Sequence, residues 1–80
     1  MVQTVLYFAK VRVSLGISRE TYDCDGQPLF MLLGEMKAKH PSLSTLLPSC
    51  AYSVNNVYAS SEHILNDGDT IGVIPPVSGG

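Results

Sequence analysis

A single segment of this 80-residue sequence has the spacing of an amphipathic helix, and short strand-like segments lie on both sides of it. Its apolar side chains recur three or four residues apart, at Leu29, Leu32, Leu33 and Met36, with His40 in the same register. This spacing predicts a helix over residues 28–40, which begins at Pro28 and ends before Pro41. Gly34 inside this helix predicts a close approach of another backbone. With one main helix, the chain can bury a core only by packing that helix on a sheet.

Five short segments have the composition of β-strands, and they cover residues 2–9, 18–24, 51–54, 57–60 and 70–74. Asn55-Asn56 predicts a tight hairpin turn between the third and fourth strands, and Asp67-Gly68 predicts a second hairpin turn before the last strand. We expect a short helical turn at residues 10–15 and a polar loop at residues 41–49. The sequence therefore predicts an α+β fold, in which a mixed sheet carries one main helix on one face.

The first and last strands are the most apolar, so we expect them in the middle of the sheet. The side chains that alternation predicts to face the helix are Tyr7, Val57, Ile71 and Val73. Alternation then places Phe8, Tyr58 and Ile74 on the opposite face, for which the sequence has no second helix. An exposed cluster of this kind predicts a docking surface. Two alternatives stay open: loop 41–49 covers these side chains, or the two faces are reversed.

The charge and hydropathy patterns argue against two classes of partner. Five Lys and Arg residues are spread along a chain of net charge −2, so no basic stripe is available for nucleic acid. No apolar run approaches the roughly 20 residues that span a membrane. The first ten residues lack the basic stretch and the cleavage site of a signal peptide, so we expect an intracellular, cytoplasmic protein.

Few side chains have the spacing of a catalytic or metal site. Cys24 and Cys50 form no Cys-x-x-Cys pair, and neither has zinc-ligand spacing from His40 or His63, so we expect no metal site. A disulfide could join the two cysteines, but free thiols are expected in a reducing compartment. The segment Asp67-Gly68-Asp69 could supply a carboxylate pair, although aspartate beside glycine is typical of a turn. Phosphate-binding loops and nucleophile elbows are absent from the sequence.

The sequence ends in Pro75-Pro76-Val77-Ser78-Gly79-Gly80. The two prolines hold the approach extended, and the two glycines have no Cβ, so this end could pass through a narrow channel in a partner. We expect residues 1–74 to form the domain, and residues 75–80 to form an extended tail with a reactive carboxylate on Gly80. The alternative is a frayed terminus without a role.

Several motifs together resemble the small subunits of molybdopterin synthase, a family of ubiquitin-like sulfur carriers. The motifs are the opening Val5-Leu6-Tyr7-Phe8-Ala9, Arg12, Asp67-Gly68-Asp69 and the ending at residues 74–80. The resemblance spans the whole chain and implies a ubiquitin-like β-grasp fold. Two positions depart from the family pattern, because Val13 replaces an acidic residue and Tyr58 replaces an aliphatic one.

The resemblance also implies a function for the tail. An ATP-dependent activating enzyme would adenylate Gly80 and convert it to a thiocarboxylate, and the chain itself would hold no permanent cofactor. The sulfur would then pass to a cyclic pyranopterin precursor in the large subunit of a heterotetrameric synthase, where it forms the molybdopterin dithiolene of the molybdenum cofactor. The chain alone would not be catalytic. The implied reactive residues are Gly79 and Gly80, and the implied partner contacts are Phe8, Arg12, Tyr58, Ile74, Pro75, Pro76, Val77 and Ser78.

Three other functions stay open at this point. A sulfur carrier for thiamine biosynthesis or tRNA thiolation would share the diglycine and the fold. A ubiquitin-like modifier would instead form isopeptide bonds between its diglycine and lysine side chains. A binding module with an idle tail would use the outward cluster alone.

Overall fold

Five strands and three α-helices follow one another in the computed structural model of the chain, which describes residues 2–76. The strands are β1 (Gln3–Tyr7), β2 (Arg19–Tyr22), β3 (Ala51–Val54), β4 (Val57–Tyr58) and β5 (Thr70–Ile74). The helices are α1 (Ala9–Leu15), α2 (Leu29–Lys39) and α3 (Leu43–Leu46), and a 3₁₀ turn at Leu47–Ser49 follows α3. The predicted strands and the predicted main helix are present, although β1, β2 and β4 are shorter than expected.

The five strands form one mixed sheet in the order β2-β1-β5-β3-β4. The central pair, β1 and β5, is parallel, and the other neighbours are antiparallel. The two most apolar strands therefore lie inside the sheet, as predicted. With α2 packed on one face, the architecture is the α+β, β-grasp arrangement expected from the sequence.

The core lies between α2 and the inner face of the sheet. Its fully buried members from these elements are Val5, Leu29, Leu32, Met36, Ile71 and Val73, and Tyr7 is 1% exposed. Burial of each aliphatic side chain of this kind contributes about 1.5–3 kcal/mol. Val57 is the exception among the residues predicted to face the helix, because it is 68% exposed. It belongs to the two-residue edge strand β4, where the sheet extends past the core.

Three other sequence-based expectations are wrong. Residues 41–49 form α3 and the 3₁₀ turn, and they bury Leu43 and Leu47 in the core instead of covering the opposite face of the sheet. Asp67-Gly68 makes a turn but no hairpin, since β5 pairs with β1 and β3 and not with β4. Gly34 lies on the exposed side of α2, where a Cβ would meet nothing within 4 Å.

The segment 59–69, here called the strap, connects β4 to β5 and supports the start of α2. That helix has no side-chain cap at its N-terminus. Instead, the backbone N–H of Leu29 donates to the carbonyl of His63 at 2.8 Å, and that of Phe30 donates to Ser61 at 2.8 Å. Two of the four N–H groups that every helix start leaves without an intrahelical partner are thereby satisfied. Leu65 of the strap is fully buried in the same core.

Asp69 has a structural role in the turn before β5. Its carboxylate accepts from the side-chain amide of Asn55 at 2.9 Å and from the backbone N–H of Asn66 at 2.8 Å. Asn55 and Asn56 have φ values of 51° and 68°, as the predicted tight hairpin turn requires. The contacts of Asp69 therefore support a role in the turn, as opposed to a reactive carboxylate pair.

Gln3 is a fully buried polar residue that connects two loops to β1. Its side-chain oxygen accepts from the backbone N–H of Cys24 at 2.6 Å. Its side-chain nitrogen donates to the carbonyl of Asn66 at 3.1 Å and to the carboxylate of Asp25. Because these partners satisfy its amide, burial leaves no polar group without a hydrogen bond.

Glu20 on β2 collects four hydrogen bonds where α2 ends against the sheet. Its carboxylate accepts from the hydroxyl groups of Tyr7 (2.6 Å) and Tyr22 (3.0 Å), from Nζ of Lys39 (2.7 Å) and from Nε2 of His40 (2.9 Å). Burial raises the pKa of Glu20, but these hydrogen bonds outweigh it and lower the pKa from 4.5 to about 2. The charged carboxylate therefore holds β1, β2 and the end of α2 together.

The helices within residues 2–76 are short, and α2 has only 11 residues. None of them is long and apolar enough to cross a membrane.

We predict that Glu20→Gln lowers the free energy of unfolding at pH 7 by on the order of 2–3 kcal/mol. The pKa of Glu20 is lower in the folded state, so its contribution is complete above pH 4.5 and is lost as the pH falls toward 2. Urea unfolding at pH 7 and at stepwise lower pH should show the difference from wild type shrinking over this range. Glu62→Gln, at an exposed site, is the control. A constant difference at all pH values would contradict the prediction.

Candidate functional site

The face of the sheet opposite α2, here called the outer face, is crossed by one row of side chains. Leu6 pairs with Arg19 on β2 and with Gly72 on β5. Ser53 pairs with Gly72 and with Tyr58 on β4. Paired residues point to the same side of a sheet, so this row runs from edge to edge of the outer face. The predicted outward orientation of Tyr58 is confirmed, and the alternative of reversed faces is excluded.

Phe8 projects from the junction between β1 and α1. Its backbone is extended (φ −124°, ψ 155°) and precedes the first residue of α1. The next residue, Ala9, has φ 49°, which lies in the left-handed region that non-glycine residues rarely adopt. This sharp change of direction ends β1 and starts α1 without an intervening loop. Phe8 is 43% exposed, so one part of its ring is covered and the rest is available to a partner.

Gly72 lies directly beneath the ring of Phe8. A Cβ on Gly72 would lie 3.4 Å from Cε2 of Phe8, 3.9 Å from Cγ1 of Ile74 and 2.5 Å from Oγ of Ser53. Gly72 is buried although it belongs to the outer face. The structure therefore brings together Phe8 and Ile74, two of the residues predicted to contact a partner, beside one glycine.

The tail begins beside this cluster. Ile74 is the last residue of β5, pairs with Ala51 and is partly buried. Pro75 is buried and Pro76 is exposed. The remaining predicted site residues, Val77, Ser78, Gly79 and Gly80, lie outside the described residues. The structure thus shows where the tail leaves the domain, and the roles of these four residues stay predictions.

Tyr58 and Arg12, two further residues predicted to contact a partner, are both exposed. Tyr58 is 75% exposed on β4, opposite Ser53. Arg12 is exposed on α1, one turn after Phe8, whose carbonyl accepts its backbone N–H at 3.3 Å. The adjacent Val13 is also exposed, so the departure from the family pattern adds apolar surface to α1. Tyr58 and Arg12 are expected as partner contacts from the sequence alone. The strand pairing that positions Tyr58 and the helix turn that positions Arg12 are visible only in the structure.

The thiols lie away from the outer face and are protected. Both cysteines are free, and Cys24 is fully buried. Burial and a hydrogen bond to Glu35 raise the pKa of Cys24 to about 12, and burial also raises the pKa of Cys50. Among residues 2–76, no group of three His, Cys, Asp or Glu side chains could hold a metal ion. The outer face is therefore suited to docking, and its own side chains offer no activated nucleophile.

Sequence comparisons identify close relatives of the chain. The sequence profile of the ThiS family matches residues 5–80. The molybdopterin synthase sulfur carrier subunit of Chlamydomonas reinhardtii is 38% identical over 79 residues, with 95% of each chain covered. The subunit of the same name from Homo sapiens is 34% identical over 80 residues, which cover 95% of this chain and 91% of that protein.

Two solved structures share the fold over nearly the whole chain. Small archaeal modifier protein 1 from Methanosarcina acetivorans has a TM-score of 0.87 at 25% identity, with 99% of this chain and 96% of that chain covered. A chain in the complex of subunits 1 and 2 of molybdopterin-converting factor from Helicobacter pylori 26695 has a TM-score of 0.74 at 26% identity, with 100% of each covered. These likenesses confirm the ubiquitin-like fold expected from the sequence.

We predict opposite effects of one substitution at two alanines. Ala9→Gly should raise the free energy of unfolding by up to about 1 kcal/mol, because glycine adopts a positive φ without steric cost. Ala38→Gly, on the exposed side of α2, should lower it by about 0.5–1 kcal/mol. Denaturant unfolding of both variants measures the two signs. Equal losses at both sites would show that the backbone at Ala9 is not strained.

Proposed function

The chain belongs to the ThiS family, and we propose that it is the sulfur carrier subunit of a molybdopterin synthase. The observation that carries this proposal is the position of the apolar outer face beside the root of the tail. Phe8 and Ile74 both lie close to Gly72, and Pro75 follows Ile74 directly. A partner that docks on this surface would receive the tail in a fixed direction. The sulfur carrier relatives, which align over 95% of this chain, support the same assignment.

The proposed chemistry takes place on the carboxylate of Gly80. This carboxylate attacks the α-phosphorus of ATP in an activating enzyme, and pyrophosphate leaves. A sulfur donor then displaces AMP from the acyl adenylate and leaves a thiocarboxylate. Activation is needed because a carboxylate is anionic and a poor electrophile, whereas AMP is a good leaving group. The thiocarboxylate sulfur is a soft nucleophile that can attack a pterin precursor. Hydrolysis of the resulting thioester would break the acyl C–S bond, leave the sulfur on the precursor and return Gly80 as a carboxylate.

The proposed contribution of this chain to catalysis is position. Gly79 and Gly80 have no Cβ and can enter a narrow pocket, while Pro75 and Pro76 limit the conformations of the approach. Placing the sulfur next to the precursor in a pocket that excludes water can contribute several kcal/mol to lowering the barrier. Two sulfurs delivered in turn would complete the dithiolene.

Two partners follow from this proposal, the large subunit of the synthase and the adenylating, sulfur-transferring enzyme. Both need the same tail, so we expect the two complexes to be mutually exclusive. ATP is bound by the activating enzyme, and this chain holds only a transient adenylate. The proposal includes assembly with the large subunit in a heterotetramer and a cytosolic location, where free thiols such as Cys24 and Cys50 stay reduced.

The alternatives use the same diglycine for a different recipient or a different bond. A carrier for thiamine biosynthesis or tRNA thiolation would form the thiocarboxylate without supplying a molybdopterin synthase. A protein modifier would appear as covalent conjugates to lysines, and the likeness to a small archaeal modifier protein supports testing for them.

We predict that deletion of Gly80 abolishes sulfur transfer and leaves the melting temperature nearly unchanged, because the described core side chains lie within residues 3–75. Intact-mass analysis of the wild type from its native cell should show one oxygen replaced by sulfur, and the deletion variant should show none. The thiocarboxylated wild type is then mixed with the cognate large subunit and the pterin precursor. Failure to produce molybdopterin would overturn the proposed pathway, and substantial transfer by the deletion variant would overturn the role of Gly80.

We further predict that the two residues of β4 differ in their effect on binding the large subunit. Tyr58→Ser should weaken binding by roughly tenfold, because Tyr58 belongs to the outer face and tyrosine contacts often dominate interfaces. Val57→Ser is the matched control, since Val57 is similarly exposed (68% against 75%) but points to the other side of the sheet. Calorimetric titration of both variants measures the difference. Equal losses would show that the outer face is not the docking surface.

A further inference from the structure

We propose that Gly72 is a positioning residue, which seats the ring of Phe8 against the root of the tail and so sets the shape of the surface offered to the large subunit. This inference rests on the proposed function. Phe8 is a residue that a partner would touch, whereas Gly72 acts beneath it. Its effect on binding should therefore pass through the ring of Phe8.

The burial of Gly72 shows that the outer face is covered at this point. The outer-face residues that pair with Gly72, Leu6 and Ser53, are only partly buried. The atom nearest to a Cβ of Gly72 on the Phe8 side is Cε2, at 3.4 Å. A Cβ at this position would meet the ring in ordinary van der Waals contact, so side-chain atoms beyond a Cβ would enter the space that the ring of Phe8 occupies.

A close contact that leaves little room for a side chain would explain why a glycine lies inside a central strand. Glycine weakens a strand because it loses more backbone entropy than other residues and has no side chain to pack. Gly72 has no positive φ that would require a glycine. Gly34 shows the contrast within the same chain, since a Cβ there would meet nothing within 4 Å. Close contact therefore distinguishes Gly72.

The backbone of Phe8 is fixed independently of its ring. Its carbonyl accepts from the N–H groups of Val11 (3.1 Å) and Arg12 (3.3 Å), and the positive φ of Ala9 sets the direction of the chain after it. With the backbone held, the space above Gly72 decides where the ring lies. Because Ile74 borders the same space, a displaced ring would also change the surface beside Pro75.

A larger residue at position 72 should therefore move the ring and leave the sheet intact. Oγ of Ser53 would lie 2.5 Å from a new Cβ, so this hydroxyl must be removed first. Ser53→Ala provides a background in which the remaining close neighbours are Phe8 and Ile74. Valine is the sharper substitution at position 72, because it favours strands and its γ-carbons would occupy the space of the ring.

The test is a double-mutant cycle in the Ser53→Ala background, measured as the Kd for the cognate large subunit. Gly72→Val should weaken binding by roughly tenfold, and in a Phe8→Ala chain the same change should weaken it by less than about twofold. Thr70→Val is the control, since Thr70 lies on the same strand and the same face, two residues away from Gly72. It should change the Kd by less than about twofold.

Nuclear Overhauser contacts between the ring protons of Phe8 and the α-protons of Gly72 give a second readout that needs no partner. The wild type should show them. Circular dichroism checks that each variant is folded, and Gly72→Ser, which also carries an atom beyond Cβ, replaces Gly72→Val in the cycle if the valine variant unfolds.

The outcomes separate the two proposals. Additive effects of Gly72→Val and Phe8→Ala, or absent ring contacts, in a chain whose wild type binds the large subunit would overturn the positioning role and leave the proposed function standing. A wild type that shows the ring contacts but does not bind would overturn the proposed function, and the positioning role in binding with it.

Discussion

The parallel pairing of β1 with β5 is the constraint on which the arrangement of the chain depends. It places Tyr7 beside Val73 in the middle of the sheet. Since the two strands run in the same direction, both leave the sheet at the same edge, one into Phe8 and the other into Pro75. Residues more than 60 positions apart in the sequence are thereby combined in one surface. An antiparallel pairing would have sent the tail to the opposite edge from Phe8.

A domain of this size has one helix to cover its sheet, and polar contacts supplement the small apolar core. Glu20 joins two strands to the end of α2, Gln3 joins two loops to β1, and Asp69 fixes the turn before β5. Hydrogen bonds satisfy the polar atoms of these three side chains, which burial would otherwise leave without a partner. The cost of burying them is offset in this way, and all three lie away from the outer face. That face is consequently free of these three polar contacts.

The sequence predicted those parts of the fold that depend on local pattern. The stripe on α2, the turn at Asn55-Asn56 and the outward orientation of Tyr58 all follow from spacing over a few residues. The features that were missed depend on which distant segments meet. Leu43 and Leu47 have helical spacing, but the prolines and serines around them favoured a loop. The contacts of Glu20 require the register between β1 and β2 as well as the end of α2.

The candidate site shows the same division. The tail and the apolar residues beside it could be recognised from the sequence, because their composition is unusual. Gly72 was visible only as a glycine within a strand, a signal that indicates close approach without naming the neighbour. Phe8 was identified as exposed, but its contact with Gly72 could not be inferred without the parallel register that aligns Leu6 with Gly72.

The place of β5 in the sheet also bears on when the chain can fold during its synthesis. β5 contacts both β1 and β3, so without it the sheet falls into two hairpins that do not touch each other. The core can close only when residue 74 has left the ribosome, and the long sequence separation of these contacts slows folding further. A partially synthesised chain therefore exposes the apolar stripe of α2. On this basis the outer face and the root of the tail are completed in the same final step of folding.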